Sequence, residues 1–147
     1  MFRLTLLVVG KLKNAHLRAL CEDFSSRLQR LGRLEVVEFK DADPAAEGER
    51  FLTALAARSG ASVWVLSEEG KCLRSTDLAE QIQARQGAEL VFVIGGPFGL
   101  SRSVKQRADR LVSLSPMTFT HEMARYLLLE QLYRAASINT GSKYHHE

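Results

Sequence analysis

His121 and Arg125 lie four residues apart, a spacing that places an imidazole and a guanidinium on one face of a helix. Such a pair can move a proton and hold an anion or a carbonyl oxygen. A packing role for His121 and an ion pair of Arg125 with Glu122 or Glu130 account for the same residues. Upstream, Ile94-Gly95-Gly96-Pro97-Phe98-Gly99-Leu100-Ser101 is a glycine-rich turn, in which backbone amides can approach a ligand closely. Taken alone it reads as a tight strand-to-helix turn, because neither a GxGxxG spacing nor a phosphate-loop Lys-Ser pair is present. The run Leu114-Ser115-Pro116-Met117-Thr118-Phe119-Thr120 offers hydroxyls, backbone groups and a Met/Phe pair suited to a flat ring. An ordinary connection capped by Thr120 fits it too. Leu66-Ser67-Glu68-Glu69-Gly70-Lys71 could add a wall or a polar contact. At the end of the chain, Lys143, Tyr144, His145 and His146 could stack a base and touch phosphate, or could simply fray. Adjacent histidines point apart in an extended chain, so no metal is expected there.

The elements that must position these residues are written in the hydrophobic pattern. Leu4 to Val9, Val63 to Leu66, Leu90 to Ile94 and Leu111 to Leu114 are short apolar runs rich in β-formers, and Leu34 to Phe39 partly alternates, as an edge strand would. Near-continuous apolar strands separated by helices predict a mostly parallel sheet with helices on both faces, an α/β fold. Asn14 is placed to cap a first helix whose Leu17, Leu20, Cys21, Phe24, Leu28 and Leu31 follow three-four spacing up to Gly32. Pro44 opens a second helix, Ser75 or Thr76 caps a third, and Ser101 caps a short fourth. The last, from His121 to about Ile138, is apolar on more than one face, which predicts either a deeply buried helix or a second copy covering it, the dimer being favoured. Ligands in such sheets bind beyond the carboxyl ends of the strands.

Length and composition bound the function. The 147 residues, 46% hydrophobic and 25% charged, suit one globular domain over residues 1–147 and exclude disordered and fibrous classes. Twenty basic against 17 acidic residues give a net charge of only +3. The distribution is uneven: residues 1–34 carry 7 basic and 2 acidic, residues 35–94 carry 6 and 11, and residues 95–147 carry 7 and 4. Basic ends around an acidic middle leave room for a polyanionic partner. Cys21 and Cys72 are isolated thiols without zinc-ligand spacing, which points to a reducing, cytoplasmic setting and no metal. No run approaches the ~20 apolar residues that span a bilayer.

Five motifs together carry a family resemblance: Val9-Gly10-Lys11-Leu12-Lys13; Phe92-Val93-Ile94-Gly95-Gly96-Pro97 with Gly99-Leu100; Leu114-Ser115, Met117-Thr118-Phe119 and His121 with Arg125; Glu130-Gln131-Leu132-Tyr133-Arg134-Ala135; and Tyr144-His145. Over essentially its whole length the chain resembles the RlmH family, pseudouridine N3-methyltransferases of the large ribosomal subunit within the SPOUT superfamily. The resemblance implies a C-terminal trefoil knot, S-adenosylmethionine as methyl donor, no metal, and a homodimer. It implies cofactor contacts from Leu66, Gly95, Gly96, Gly99 and the run Leu114, Ser115, Pro116, Met117, Thr118, Phe119 and Thr120. His121, Arg125, Tyr144 and His145 match the substrate-side positions, with the tail completing the site across the dimer. The implied substrate is a pseudouridine in the intersubunit stem-loop of 23S rRNA within an assembled ribosome, not DNA or a membrane. Two departures stand out: Thr120 replaces a common proline, and His146 stands where a basic residue is usual. The competing expectations are a flavodoxin-like nucleotide binder that uses the glycine turn for phosphate, and a non-enzymatic dimer that binds the ribosome through its basic ends.

Overall fold

A computed structural model describes residues 1–146. Ten elements alternate along the chain: β1 (Arg3–Val9), α1 (Ala15–Gln29), β2 (Arg33–Phe39), α2 (Pro44–Ala56), β3 (Ser62–Cys72), α3 (Ser75–Gln83), β4 (Glu89–Val93), α4 (Arg102–Arg107), β5 (Arg110–Ser113) and α5 (His121–Thr140). The strands form one sheet in the order β2-β1-β4-β3-β5, and every pairing is parallel.

The period-two alternation of side chains divides the core into two layers. Leu4, Leu6, Val8, Trp64, Leu90 and Phe92 meet α1, α3 and α5 on one face. Leu7, Val9, Val63, Val65, Val91 and Val93 meet α2 and α4 on the other. The near-continuous apolar strands are thereby explained: both faces are covered. Connections running toward β2 cross the α1/α3 face, and those running toward β5 cross the α2/α4 face. All four crossovers therefore share one hand, as twisted parallel strands require.

Local signals mostly end the helices where the residues predict. Asn14 accepts from the backbone N–H groups of His16 and Leu17, Asp43 caps α2 ahead of Pro44, and Ser101 and Thr120 cap α4 and α5. The α3 cap falls one residue earlier than expected, at Arg74, whose backbone N–H donates to Asp77. Leu20, placed by periodicity on the buried stripe of α1, is instead exposed, whereas Cys21, Phe24 and Leu28 are buried. Burial pushes the Cys21 thiol up to about 11, so it stays protonated. Helix α5 lies between α1 and α3, and these neighbours take up part of its apolar excess: Tyr126 and Tyr133 both pack against Phe24.

The third strand is longer than its apolar run. It continues to Cys72 through an irregularity between Leu66 and Lys71 against β5. Residues Ser67 to Gly70, expected as a loop after the strand, are a bulge within it. At Gly70 a Cβ would lie 2.6 Å from the backbone of Leu111 and Val112, so only glycine allows β5 this close. Gly70→Ala is expected to lower the urea midpoint by the equivalent of about 1–3 kcal/mol with an unchanged slope, the usual cost of forcing extra volume into a packed contact.

Candidate active site

Because all strands run the same way, the segments that follow β1, β3, β4 and β5 meet at one end of the sheet. There they enclose a cleft of about 900 Å³. Its walls are the loop after β4, the β3 bulge, the loop after β5, and the first turns of α1 and α5.

The β4 loop closes on itself. Gly99 N–H donates to the Gly96 carbonyl at 3.0 Å, and Gly99 has φ +86° with open space where a Cβ would be, so the turn itself demands glycine there. Phe98 at its tip is 81% exposed. The β5 loop is held by its hydroxyls: Ser113 Oγ donates to the Ser115 carbonyl at 2.8 Å, and Ser115 Oγ accepts from Met117 N–H at 3.0 Å. These bonds consume polar groups inside the loop and turn Met117 and Phe119 outward, both exposed. Of the eleven positions expected to touch a cofactor, Leu66, Gly95, Gly96, Gly99, Leu114, Ser115, Met117, Thr118, Phe119 and Thr120 border the cleft. Pro116 does not.

His121 also borders the cleft, as the first residue of α5. Two contacts fix that helix end. Glu122 Oε1 accepts from the backbone N–H groups of Lys13 at 2.7 Å and Asn14 at 3.1 Å, joining α5 to the start of α1. Burial raises the Glu122 pKa, but these bonds, with His121 and Arg125 nearby, outweigh it and hold the carboxyl below its usual range. One turn on, Arg125 is only 4% exposed. Its Nη1 donates to Glu38 Oε2 and its Nη2 to the Gly10 carbonyl, each at 2.7 Å. The alternative ion pair with Glu122 or Glu130 is thus replaced by one to β2, and the guanidinium expected on the substrate side points into the protein. Sequence reading missed Glu38; its one mark is to be the second acidic residue of a partly alternating strand.

Tyr144 and His145 lie elsewhere. Gly141 ends α5 in the left-handed conformation, and Ser142 N–H returns to the Ser137 carbonyl at 2.9 Å. The tail then folds back on α5. Tyr144 Oη donates to Glu130 at 2.9 Å, its ring meets Tyr133 edge-on at 4.8 Å, and the Arg134 guanidinium lies over it at 4.9 Å. Arg134 also pairs with Glu130 and lies 3.3 Å from His145 Nδ1. Tyr133 is twelve residues along the helix from His121, about 18 Å at 1.5 Å per residue. Within one chain the imidazole and the tail are therefore far apart. His146 is exposed. Among the described residues no group of His, Cys, Asp or Glu is arranged to hold a metal, and no helix is long and apolar enough to cross a membrane.

This parallel sheet with helices on both faces is a fold that solved methyltransferases share. Similar solved structures include a probable methylase family protein from Haemophilus influenzae Rd KW20 (TM-score 0.60, 12% identity, covering 98% of this chain and 70% of that one). The SpoU methyltransferase AviRb from Streptomyces viridochromogenes, solved in complex with AdoMet, is another (TM-score 0.51, 14% identity, 96% and 59%). At these identities the likeness concerns the fold. The family described as "Predicted SPOUT methyltransferase" matches residues 2–145. Proteins named ribosomal RNA large subunit methyltransferase H are similar throughout. That of Solidesulfovibrio magneticus is 44% identical over 97% of this chain and 98% of its own. That of Synechococcus sp. (strain RCC307) is 46% identical over 97% and 94%. The chain belongs to the SPOUT methyltransferase family and, within it, to the RlmH family.

Two measurements check this geometry. Arg125→Met strands Glu38 and the Gly10 carbonyl, and urea unfolding should show a loss of about 2 kcal/mol, below the usual cost of breaking a fully buried pair because Glu38 is partly solvated. For Tyr144, burial and then the Glu130 hydrogen bond raise the phenol above its ordinary 10.0. The stabilisation from this docked phenol is therefore complete below pH 10.0 and lost as pH rises through the higher folded value. Spectroscopic titration should show a late-ionising tyrosine that Tyr144→Phe removes.

Proposed function

We propose that this chain transfers the methyl group of S-adenosylmethionine to N3 of a pseudouridine in the intersubunit stem-loop of 23S rRNA, acting as a homodimer on the assembled ribosome. The observation that carries the reading is the convergence of ten cofactor-loop positions and His121 on one cleft, in a chain whose relatives are large-subunit rRNA methyltransferases. The reading takes residues 1–147 as one methyltransferase domain and includes a trefoil-knotted threading of the chain after Gly95. RNA recognition then falls to the basic ends, the dimer surface and the tail.

The cleft suits the donor in size and character. Leu66, Ile94, Leu100 and Leu114 give it an apolar floor, and Lys105, Glu68 and Glu69 give its mouth charges of both signs, as a zwitterionic nucleoside requires. When bound, S-adenosylmethionine supplies an electrophilic methyl group whose leaving group is a neutral thioether, so no acid is needed. The protein's work is positioning and the removal of one proton. N3 of pseudouridine is a weak nucleophile until it loses its proton, and a ring nitrogen of His121 accepts that proton directly or through water. Arg125 contributes by holding the first turns of α5, and so His121, against β1 and β2. Tyr144 orients the base, with His145 beside it. The roughly 18 Å separating tail and His121 along α5 supports a second copy as the source of the tail that completes each site. The exposed Leu20, Met117 and Phe119 are apolar surface that such a copy would cover. A cytoplasmic location follows from the ribosomal substrate.

The test is methyl-labelled S-adenosylmethionine incubated with ribosomes that lack the modification, followed by nucleoside mass analysis. Label is expected in N3-methylpseudouridine from 23S rRNA, with separated subunits poorer substrates. His121→Ala should slow the chemical step more than ~10-fold, as losing a general base does. Ribosome binding without label transfer would establish the non-enzymatic reading instead.

A further inference from the structure

The charged mouth of the cleft is built, not incidental. Gly70 presses the β3 bulge onto the backbone of β5, and Ser67 Oγ accepts from Glu69 N–H at 3.2 Å, fixing the turn that precedes it. Bulges beside active sites re-aim side chains in this way. Here the bulge carries Glu68 and Glu69 to the cleft wall. Across from it, Lys105 on α4 reaches Glu69 Oε1 at 3.3 Å. The Lys105 side chain is 29% exposed and that of Glu69 70%, so the ion pair is weak and gives way readily to a better partner. The other acidic group at the cleft, Glu122, is engaged with the Lys13 and Asn14 backbone.

Resting on the methyl-donor reading, we propose that Lys105 and the β3 bulge form the subsite for the amino-acid end of S-adenosylmethionine. Lys105 takes the α-carboxylate, and Glu69 with Glu68 takes the α-ammonium. A lysine and a carboxylate already paired at 3.3 Å are the complement of a zwitterion, which exchanges one ion pair for two without leaving a charge unpaired. The same carboxylates favour a cation, and the donor carries a sulfonium where its demethylated product does not. The subsite therefore sets which thio-nucleosides the enzyme holds, independently of the loops that grip the adenosine.

Calorimetric titration of the full-length protein with S-adenosylhomocysteine and with methylthioadenosine, which lacks the amino-acid end, tests this. The wild type should bind S-adenosylhomocysteine at least about tenfold more tightly, the range expected of charge-assisted hydrogen bonds. Lys105→Met and Glu69→Gln should each erase most of that preference while leaving methylthioadenosine affinity within about twofold, unchanged binding that also reports an intact fold. Equal loss for both ligands, or an unchanged preference, would overturn the subsite. Failure of the wild type to bind either nucleoside or S-adenosylmethionine would remove the methyl-donor reading itself, and the subsite with it.

Discussion

The last helix must begin where the parallel strands end, and a buried guanidinium holds it there. Arg125 is almost wholly removed from water, which is costly for a charge that lacks partners. Its partners are a carboxylate from the edge strand β2 and the carbonyl that follows β1, so the charge is satisfied only when α5 lies across the ends of both strands. His121, one turn earlier, is thereby set at the cleft. Glu122 adds a second tie, to the start of α1. The cleft end of α5 is therefore positioned by electrostatics, and the rest of the helix by apolar packing between α1 and α3.

Strand direction does the remaining assembly. With every crossover of one hand and every strand parallel, the segments after β3, β4 and β5 can only arrive at the same end of the sheet. Their internal hydrogen bonds then shape them: Gly99 to Gly96 closes one loop, and the serines at 113 and 115 stiffen the other. Glycine at position 70 lets β3 and β5 approach and pushes the acidic bulge forward. Polar side chains that look like ligand groups in a linear reading are thus partly spent on holding the cleft open and in shape.

The tail obeys a different constraint. Tyr144 and His145 bind to the far part of α5 through Glu130, Arg134 and the ring of Tyr133, and a rigid helix keeps them from the imidazole of their own chain. An enzyme using both groups at once has to bring them from two copies. In the proposed dimer the charge also doubles, so a net +3 per chain, weighted toward the basic ends, is compatible with an RNA partner.

The α/β architecture, the parallel sheet, three of the five helix caps, the opening of α2 at Pro44 and most of the cleft residues were legible in the sequence. Periodicity, capping residues and glycine turns are local signals, and here they agree with the global fold. Three things were not legible. The partner of Arg125 is 87 residues away on an edge strand, and no local pattern encodes such a pairing. The bulge in β3 exists because Gly70 meets the backbone of Leu111 and Val112, so it depends on which strand lies beside it. Leu20 shares the spacing of its buried neighbours and yet faces outward, because no element of this chain packs there. By itself the sequence determined the elements, their order and the chemistry available at the strand ends, since these follow from short-range sterics and side-chain type. Tertiary structure decided which charged groups are spent on structure and which are left facing the cleft, because that depends on what each meets once distant segments are packed together.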